Sequence, residues 1–156
     1  MQQGGRYVTT AALSQVQKEA ARVLGFTGGF SSGVMKTVEF LPEKVATRED
    51  GTLSFPWTAR YGALNGFKST HGGALATLAD AFTRVHLGAA APGSSLSSVS
   101  FEISYLAAIG ENVECACVTR LVSRDAGSLA FMDYSFEDEK SGQVFARGTH
   151  VLSCSK

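Results

Sequence analysis

Hydrophobic positions recur along this chain with two different periods, and each change of period marks a change of element. From about Thr9 to Leu24, Leu13, Val16, Ala20 and Val23/Leu24 fall at helical spacing and predict a short amphipathic helix. A connector containing glycine and serine, Gly25 to Gly33, follows it. Val34, Val38 and Phe40 then alternate with polar residues and predict a strand ending at Pro42. The alternation is cleaner in Leu53, Phe55, Trp57, Ala59 and Tyr61, with Ser54, Thr58 and Arg60 opposite. Pro56 within that run lacks an amide donor and predicts an edge position. Helical spacing returns at Leu75, Leu78, Ala79 and Phe82, so a long apolar helix is expected from Thr70, as N-cap, to about His86 or Leu87. After the stop at Ala91-Pro92-Gly93 come four strand-like segments, about 96–107, 112–123, 128–138 and 142–153. Val99, Phe101, Ile103 and Tyr105 line one face of the first, and Ala130, Met132, Tyr134 and Phe136 one face of the third. Strands surrounding one such helix predict an α+β domain whose antiparallel sheet, of about six strands, curls around the helix. Residues 1–32 form the N-terminal helix and connector, and 33–156 the main body of a single domain.

The start of the long helix carries the densest chemistry. Gly72 and Gly73 occupy its first turn, although each glycine costs about 1 kcal/mol against alanine inside a helix. In return they present bare backbone N–H at the positive end of the helix dipole, a way to hold a developing oxyanion. Asp80 lies eight residues beyond Gly72, roughly 12 Å along the helix axis. One reacting carbonyl and its water cannot touch both groups, since each contact must be about 3 Å. If both act on one substrate, Asp80 must come from a second chain. Each residue also has a plainer explanation. Asp80 could pair with Arg84 at i, i+4, Asn65 could be a turn residue before Gly66, and His71 an ordinary surface histidine.

Composition narrows the class. The 156 residues suit one domain with a substantial core. With 44% hydrophobic and only 18% charged residues, the chain reads as a soluble protein whose lightly charged surface is partly covered by a partner. Its formal net charge is zero, with no Lys/Arg block, which leaves nucleic-acid binding unsupported. No apolar run is long enough for a membrane span, and the N-terminus does not lead into a signal peptide. Three cysteines fit a reducing compartment, so a cytoplasmic location is expected; Arg6 and the helix after it are also compatible with a mitochondrial one. Cys115 and Cys117 have no second Cys/His pair at matching spacing, so no metal is expected.

The order of elements, together with Asn65, five residues, His71-Gly72-Gly73, six residues and Asp80, resembles the hotdog-fold acyl-CoA thioesterases of the phenylacetate-type branch, close to the eukaryotic thioesterase superfamily member 2 group. The likeness extends to Ser98 in the strand after the helix and to Gly148-Thr149-His150. It implies hydrolysis of acyl-coenzyme A without a cofactor, in a homodimer with composite sites that pairs further into a homotetramer. By the same resemblance, Gly72 and Asn65 polarise the thioester carbonyl and Asp80 of the neighbouring subunit activates water. Ser98 orients that water, and His71 positions the loop. Gly73, Tyr105, Ser123, Arg124, Gly127 and Ser128 would contact substrate, Arg124 as the basic contact to coenzyme A phosphates. Ser98 could equally belong to a solvated face with Ser100, Glu102 and Ser104, and Arg124 to a solvated turn. The segment Leu106-Ala107-Ala108-Ile109 departs from relatives, which often carry proline and lysine there. Two other readings are a hydratase or dehydratase on the same fold, which needs a carboxylate beside a histidine, and a non-catalytic acyl-CoA-binding domain.

Overall fold

The computed structural model describes residues 11–125 and 128–156; the expected helix start at Thr9 and the expected contact Gly127 lie outside them. Helix α1 (Leu13–Leu24) buries Val16 and Ala20. It approaches the long helix so closely that a Cβ on Gly88 would stand 3.0 Å from the Glu19 carboxylate. The expected connector instead contains a helix, α2 (Gly29–Met35), packed on the long one. Its glycine- and serine-rich composition hides the single apolar pair at i, i+4, Phe30 and Val34, and Val34 belongs to it instead of the first strand.

The strands are β1 (Val38–Phe40), β2 (Ala46–Thr47), β3 (Leu53–Ala59), β4 (Ser95–Tyr105), β5 (Glu114–Arg124), β6 (Leu129–Asp138) and β7 (Val144–Ser155). Six of them form an antiparallel sheet in the order β1-β3-β5-β6-β7-β4, and the two-residue β2 pairs with β3. The expectation that Pro56 marks an edge strand is corrected: β3 lies between β1 and β5. Phe40 pairs with Trp57 and Ala46 with Ser54, so the chain leaves the sheet beside Pro56. That gap accommodates a residue with no amide donor. The true long edge is β4, which among the described residues pairs only with β7.

The long helix α3 (Gly72–Ala90) fills the curl of the sheet and touches β4, β5 and β6. Its Leu75, Leu78, Ala79, Phe82 and Val85 are buried in the core, as their spacing predicts. Phe82 lies 4.9 Å, centroid to centroid, from both Phe40 and Phe55, tying β1 and β3 to the helix. Truncating such a residue to alanine typically costs about 3–5 kcal/mol. Tyr134 and Phe136 of β6 join this core, and Ala130 and Met132 join a second buried cluster with Leu87 and Leu152. Among the described residues no helix is long and apolar enough to cross a membrane.

Candidate active site

At its N-terminal end α3 is capped by His71, whose Nδ1 accepts the Gly73 N–H at 2.9 Å. The cap is therefore His71 and not Thr70. Thr70 is drawn away because both its N–H and its hydroxyl donate to the Ile109 carbonyl, at 2.7 and 3.0 Å. With Gly73 engaged, the Gly72 N–H is left without a hydrogen-bond partner among the described residues. Among the described residues the Asn65 side chain is held by its oxygen alone. Oδ1 accepts from the Phe67 N–H at 2.9 Å and from the Ser69 N–H and hydroxyl at 3.2 Å each. An amide fixed through its oxygen turns its NH2 outward as a donor. Asn65 and Gly72 line one cavity with Tyr105. The Tyr105 hydroxyl donates to the Gly72 carbonyl at 2.8 Å, and partial burial raises its pKa. A Cβ at position 72 would sit 3.0 Å from that ring, so Tyr105 is itself a reason for glycine there.

Two turns along α3, Asp80 lines a different cavity. The ion pair with Arg84 is present, Nε donating to Asp80 Oδ1 at 2.9 Å. The same guanidinium also donates to the Ser98 hydroxyl at 2.7 Å and the Leu96 carbonyl at 3.0 Å. Ser98 Oγ lies 3.4 Å from the same Oδ1 and 2.9 Å from His150 Nε2. His150 Nδ1 is 2.7 Å from the Thr83 hydroxyl. His150 is buried, and burial pushes its pKa down to about 4; the Asp80 charge works against that shift and the Arg84 charge with it. The ring is therefore neutral at physiological pH. All the side-chain contacts to Asp80 fall on Oδ1, so among the described residues Oδ2 is unmatched.

Ser98 reaches this cluster because of a β-bulge. Ser98 pairs with Leu152 and Ser100 with Val151, leaving Val99 as the extra residue. The bulge shifts side-chain parity, so Ser98 shares the helix-facing side with Phe101, Ile103 and Tyr105. Ser98 does not share a solvated face with Ser100, Glu102 and Ser104, and Val99 is 60% exposed instead of lining the inner face. Arg84 and His150 are neighbours of Asp80 and Ser98 that the motif alone does not bring together. The available signal was Arg84 at i+4 from Asp80 and a histidine on a strand otherwise facing the core. Ser123, Arg124 and Ser128 are exposed and lie at the end of the sheet where β4 begins, away from Asn65, Gly72 and Tyr105. Their turn is held by Asp125 Oδ1, which accepts the Ser128 and Leu129 N–H groups at 2.8 and 3.0 Å.

A sheet of this strand order wrapped on one long helix, with the helix between its third and fourth strands, decides the architecture. The chain has the hotdog fold. No protein-family model and no curated protein matches it, whereas solved structures do. Zebrafish thioesterase superfamily member 2 superposes with a TM-score of 0.75 at 21% identity, covering 93% of this chain and 99% of that one. The mouse protein gives 0.71 at 20% identity, covering 94% and 98%. A hypothetical thioesterase from Streptococcus pneumoniae, solved with coenzyme A, gives 0.65 at 17% identity, covering 92% and 97%.

Proposed function

We propose that this protein is an acyl-CoA thioesterase working as a homodimer with composite sites. One observation carries the reading. The unmatched donors of Asn65 and Gly72, and the unmatched carboxylate oxygen of Asp80, line separate cavities at opposite parts of one helix. Each half is what thioester hydrolysis needs, and neither suffices alone. The names of the neighbouring structures, and the coenzyme A bound to one of them, support the substrate class. Strand β4 offers an edge of eleven residues that is unpaired among the described residues, the kind of edge on which a second copy can pair.

In this mechanism the thioester oxygen accepts hydrogen bonds from the Gly72 N–H and the Asn65 NH2 of one subunit. Asp80 of the other takes a proton from water through Oδ2 as the water oxygen attacks the carbonyl carbon. Collapse of the tetrahedral intermediate breaks the C–S bond, and the proton returns to the departing thiolate. Arg84 and Ser98 hold Asp80 and its water in line, and His71 fixes the first turn of α3. No cofactor enters this scheme. Arg124, with Ser123 and Ser128, is exposed and available to coenzyme A phosphates, and pairing of dimers into a tetramer is part of the proposal. A hydratase needs a histidine free to act beside a carboxylate; His150 Nε2 lies 3.7 Å from Asp80 Oδ1, but the ring is fully buried and both its nitrogens are engaged, by Thr83 and Ser98, which disfavours that reading.

The test is release of free coenzyme A thiol from a panel of acyl-CoAs. Asp80→Asn keeps the size and should lower turnover by about two to four orders of magnitude, the usual worth of a general base. Near-normal turnover in that variant would leave Asp80 as no more than the ion-pair partner of Arg84.

A further inference from the structure

We infer that two copies of this chain pair antiparallel along β4 in one register, with Glu102 facing Glu102 of the partner subunit on the two-fold axis; the inference deepens the composite-site reading and rests on it. Backbone direction limits the choices first. The Glu102 carbonyl accepts from the Tyr134 hydroxyl at 2.6 Å, and the Leu106 N–H donates to the Phe145 carbonyl of β7 at 2.8 Å. Glu102 and Leu106 therefore turn their backbone groups inward, toward β7. Both groups of a strand residue point the same way, and the direction alternates along the strand. Phe101, Ile103 and Tyr105 thus turn theirs to the free edge, and hydrogen-bonded pairs across the seam join two of these. Directly opposed residues also share a face of the sheet. Phe101, Ile103 and Tyr105 take the helix-facing side with Ser98, and Ser100, Glu102 and Ser104 the outer side. What remains is a ladder of registers, each a slip of two residues, or about 6.8 Å, from the next.

The site selects one of them. Tyr105 marks the carbonyl-binding half, through its 2.8 Å bond to the Gly72 carbonyl. Ser98 marks the other half, 3.4 Å from Asp80 Oδ1. Bringing the partner's Asp80 to Gly72 therefore sets the partner's Ser98 opposite Tyr105. Val99 is the extra residue of the bulge, so Ser98 and Tyr105 each stand three pairing positions from Glu102, on opposite sides. The axis then passes through Glu102. Phe101 pairs with the partner's Ile103, and Ser100 with the partner's Ser104. One slip in either direction moves the partner's Asp80 about 6.8 Å away, too far for one water to join it to the carbonyl.

This register carries a weakness. It sets two carboxylates in a non-hydrogen-bonded pair, with Cα atoms about 4.5 Å apart. Like charges directly opposite destabilise paired strands. Glu102 accepts from the Ser104 hydroxyl at 3.2 Å and has no ion pair among the described residues. The alignment that completes the site therefore opposes the strength of the seam.

Cysteine cross-linking on the outer face tests the register, because Ser100, Glu102 and Ser104 are exposed there and the native Cys115, Cys117 and Cys154 are buried. A non-hydrogen-bonded pair has a Cα separation that suits a disulfide. Under mild oxidation Glu102→Cys alone should cross-link most of the protein into dimers. Ser100→Cys alone and Ser104→Cys alone should not, but a mixture of those two variants should after subunit exchange. If Glu102→Cys cross-links only to Ser100→Cys, or only to Ser104→Cys, the strands are slipped and the inference is overturned. No cross-link in any combination overturns it too. Glu102→Gln should lower the dimer Kd by up to about fivefold at low ionic strength, with the difference shrinking in high salt. An unchanged or weaker dimer overturns the facing carboxylates. The disulfide pattern reads the register whether or not any acyl-CoA is hydrolysed, whereas absence of hydrolysis by the wild type defeats the thioesterase reading.

Discussion

His150 and His86 are both buried, and burial lowers the pKa of each from 6.5 to about 4. In the unfolded chain they would titrate near the ordinary value. Between about pH 6.5 and 4 the unfolded state therefore binds more protons than the folded one, and stability falls as pH falls through that window. Below about 4 both states are protonated and the contribution levels off. His86 is the cleaner probe. Its Nδ1 meets the Thr119 hydroxyl at 2.8 Å, its Nε2 has no partner among the described residues, and it does not touch Asp80 or Ser98. His86→Leu should make the fall of stability between pH 6.5 and 4 visibly shallower in urea denaturation. The slope is the readout, since loss of the Thr119 partner also alters absolute stability. An unchanged slope would mean His86 is not charging on unfolding. The other residue-scale expectation concerns Asn65. Its oriented NH2 matters most as negative charge grows on the carbonyl oxygen, so Asn65→Ala should cost roughly 10²–10³ in turnover with little change in binding of a non-hydrolysable acyl-CoA. A loss confined to KM would make Asn65 a binding residue.

At the scale of elements, the contact between the end of β4 and the start of α3 sets the shape of the carbonyl-binding half. Tyr105 packs over Gly72 and hydrogen-bonds its carbonyl. Gly72→Ala should therefore force the ring aside and cost about 1–3 kcal/mol, as overpacking does. Adding Tyr105→Ala should restore part of that stability in thermal denaturation; no restoration would place the clash elsewhere. The elements themselves were unequally legible in the sequence. α3 was readable from its helical hydrophobic period, β4 and β6 from alternation at Val99 to Tyr105 and Ala130 to Phe136, and β5 and β7 from apolar runs between turn signals. α2 was not, being seven residues of mostly glycine, serine and one apolar pair. Pro56 misled because the usual objection to proline assumes a neighbour on both sides of the strand, and here the chain between β1 and β2 leaves one side open. Ser98 was placed on either face because a bulge reverses parity, and nothing in Ser97-Ser98-Val99-Ser100 marks which residue is extra. The motif residues were readable individually. The convergence of Arg84, Ser98 and His150 on Asp80 was not, since it depends on α3, β4 and β7 meeting in space.

At the scale of the whole molecule, the question is whether Asn65 and Asp80 act together across two chains. They line separate cavities on one chain, and Gly72, which shares the cavity of Asn65, lies about two helical turns from Asp80 along α3. A second copy paired on the β4 edge would supply the missing half of each site. Mixing subunits tests this without knowing the preferred acyl group. Asp80→Asn and Asn65→Ala homodimers should each be nearly inactive, because each lacks one function in both sites. In a heterodimer of the two, one composite site carries both lesions and the other carries neither. Activity should therefore return toward half the wild-type value per heterodimer. Exchange is verified separately, by mass-tagging one variant and capturing the mixed species. If mixed dimers form and no activity returns, the two residues do not serve one substrate across the interface. Recovery in proportion to the mixed fraction would establish that the catalytic unit is the pair of chains.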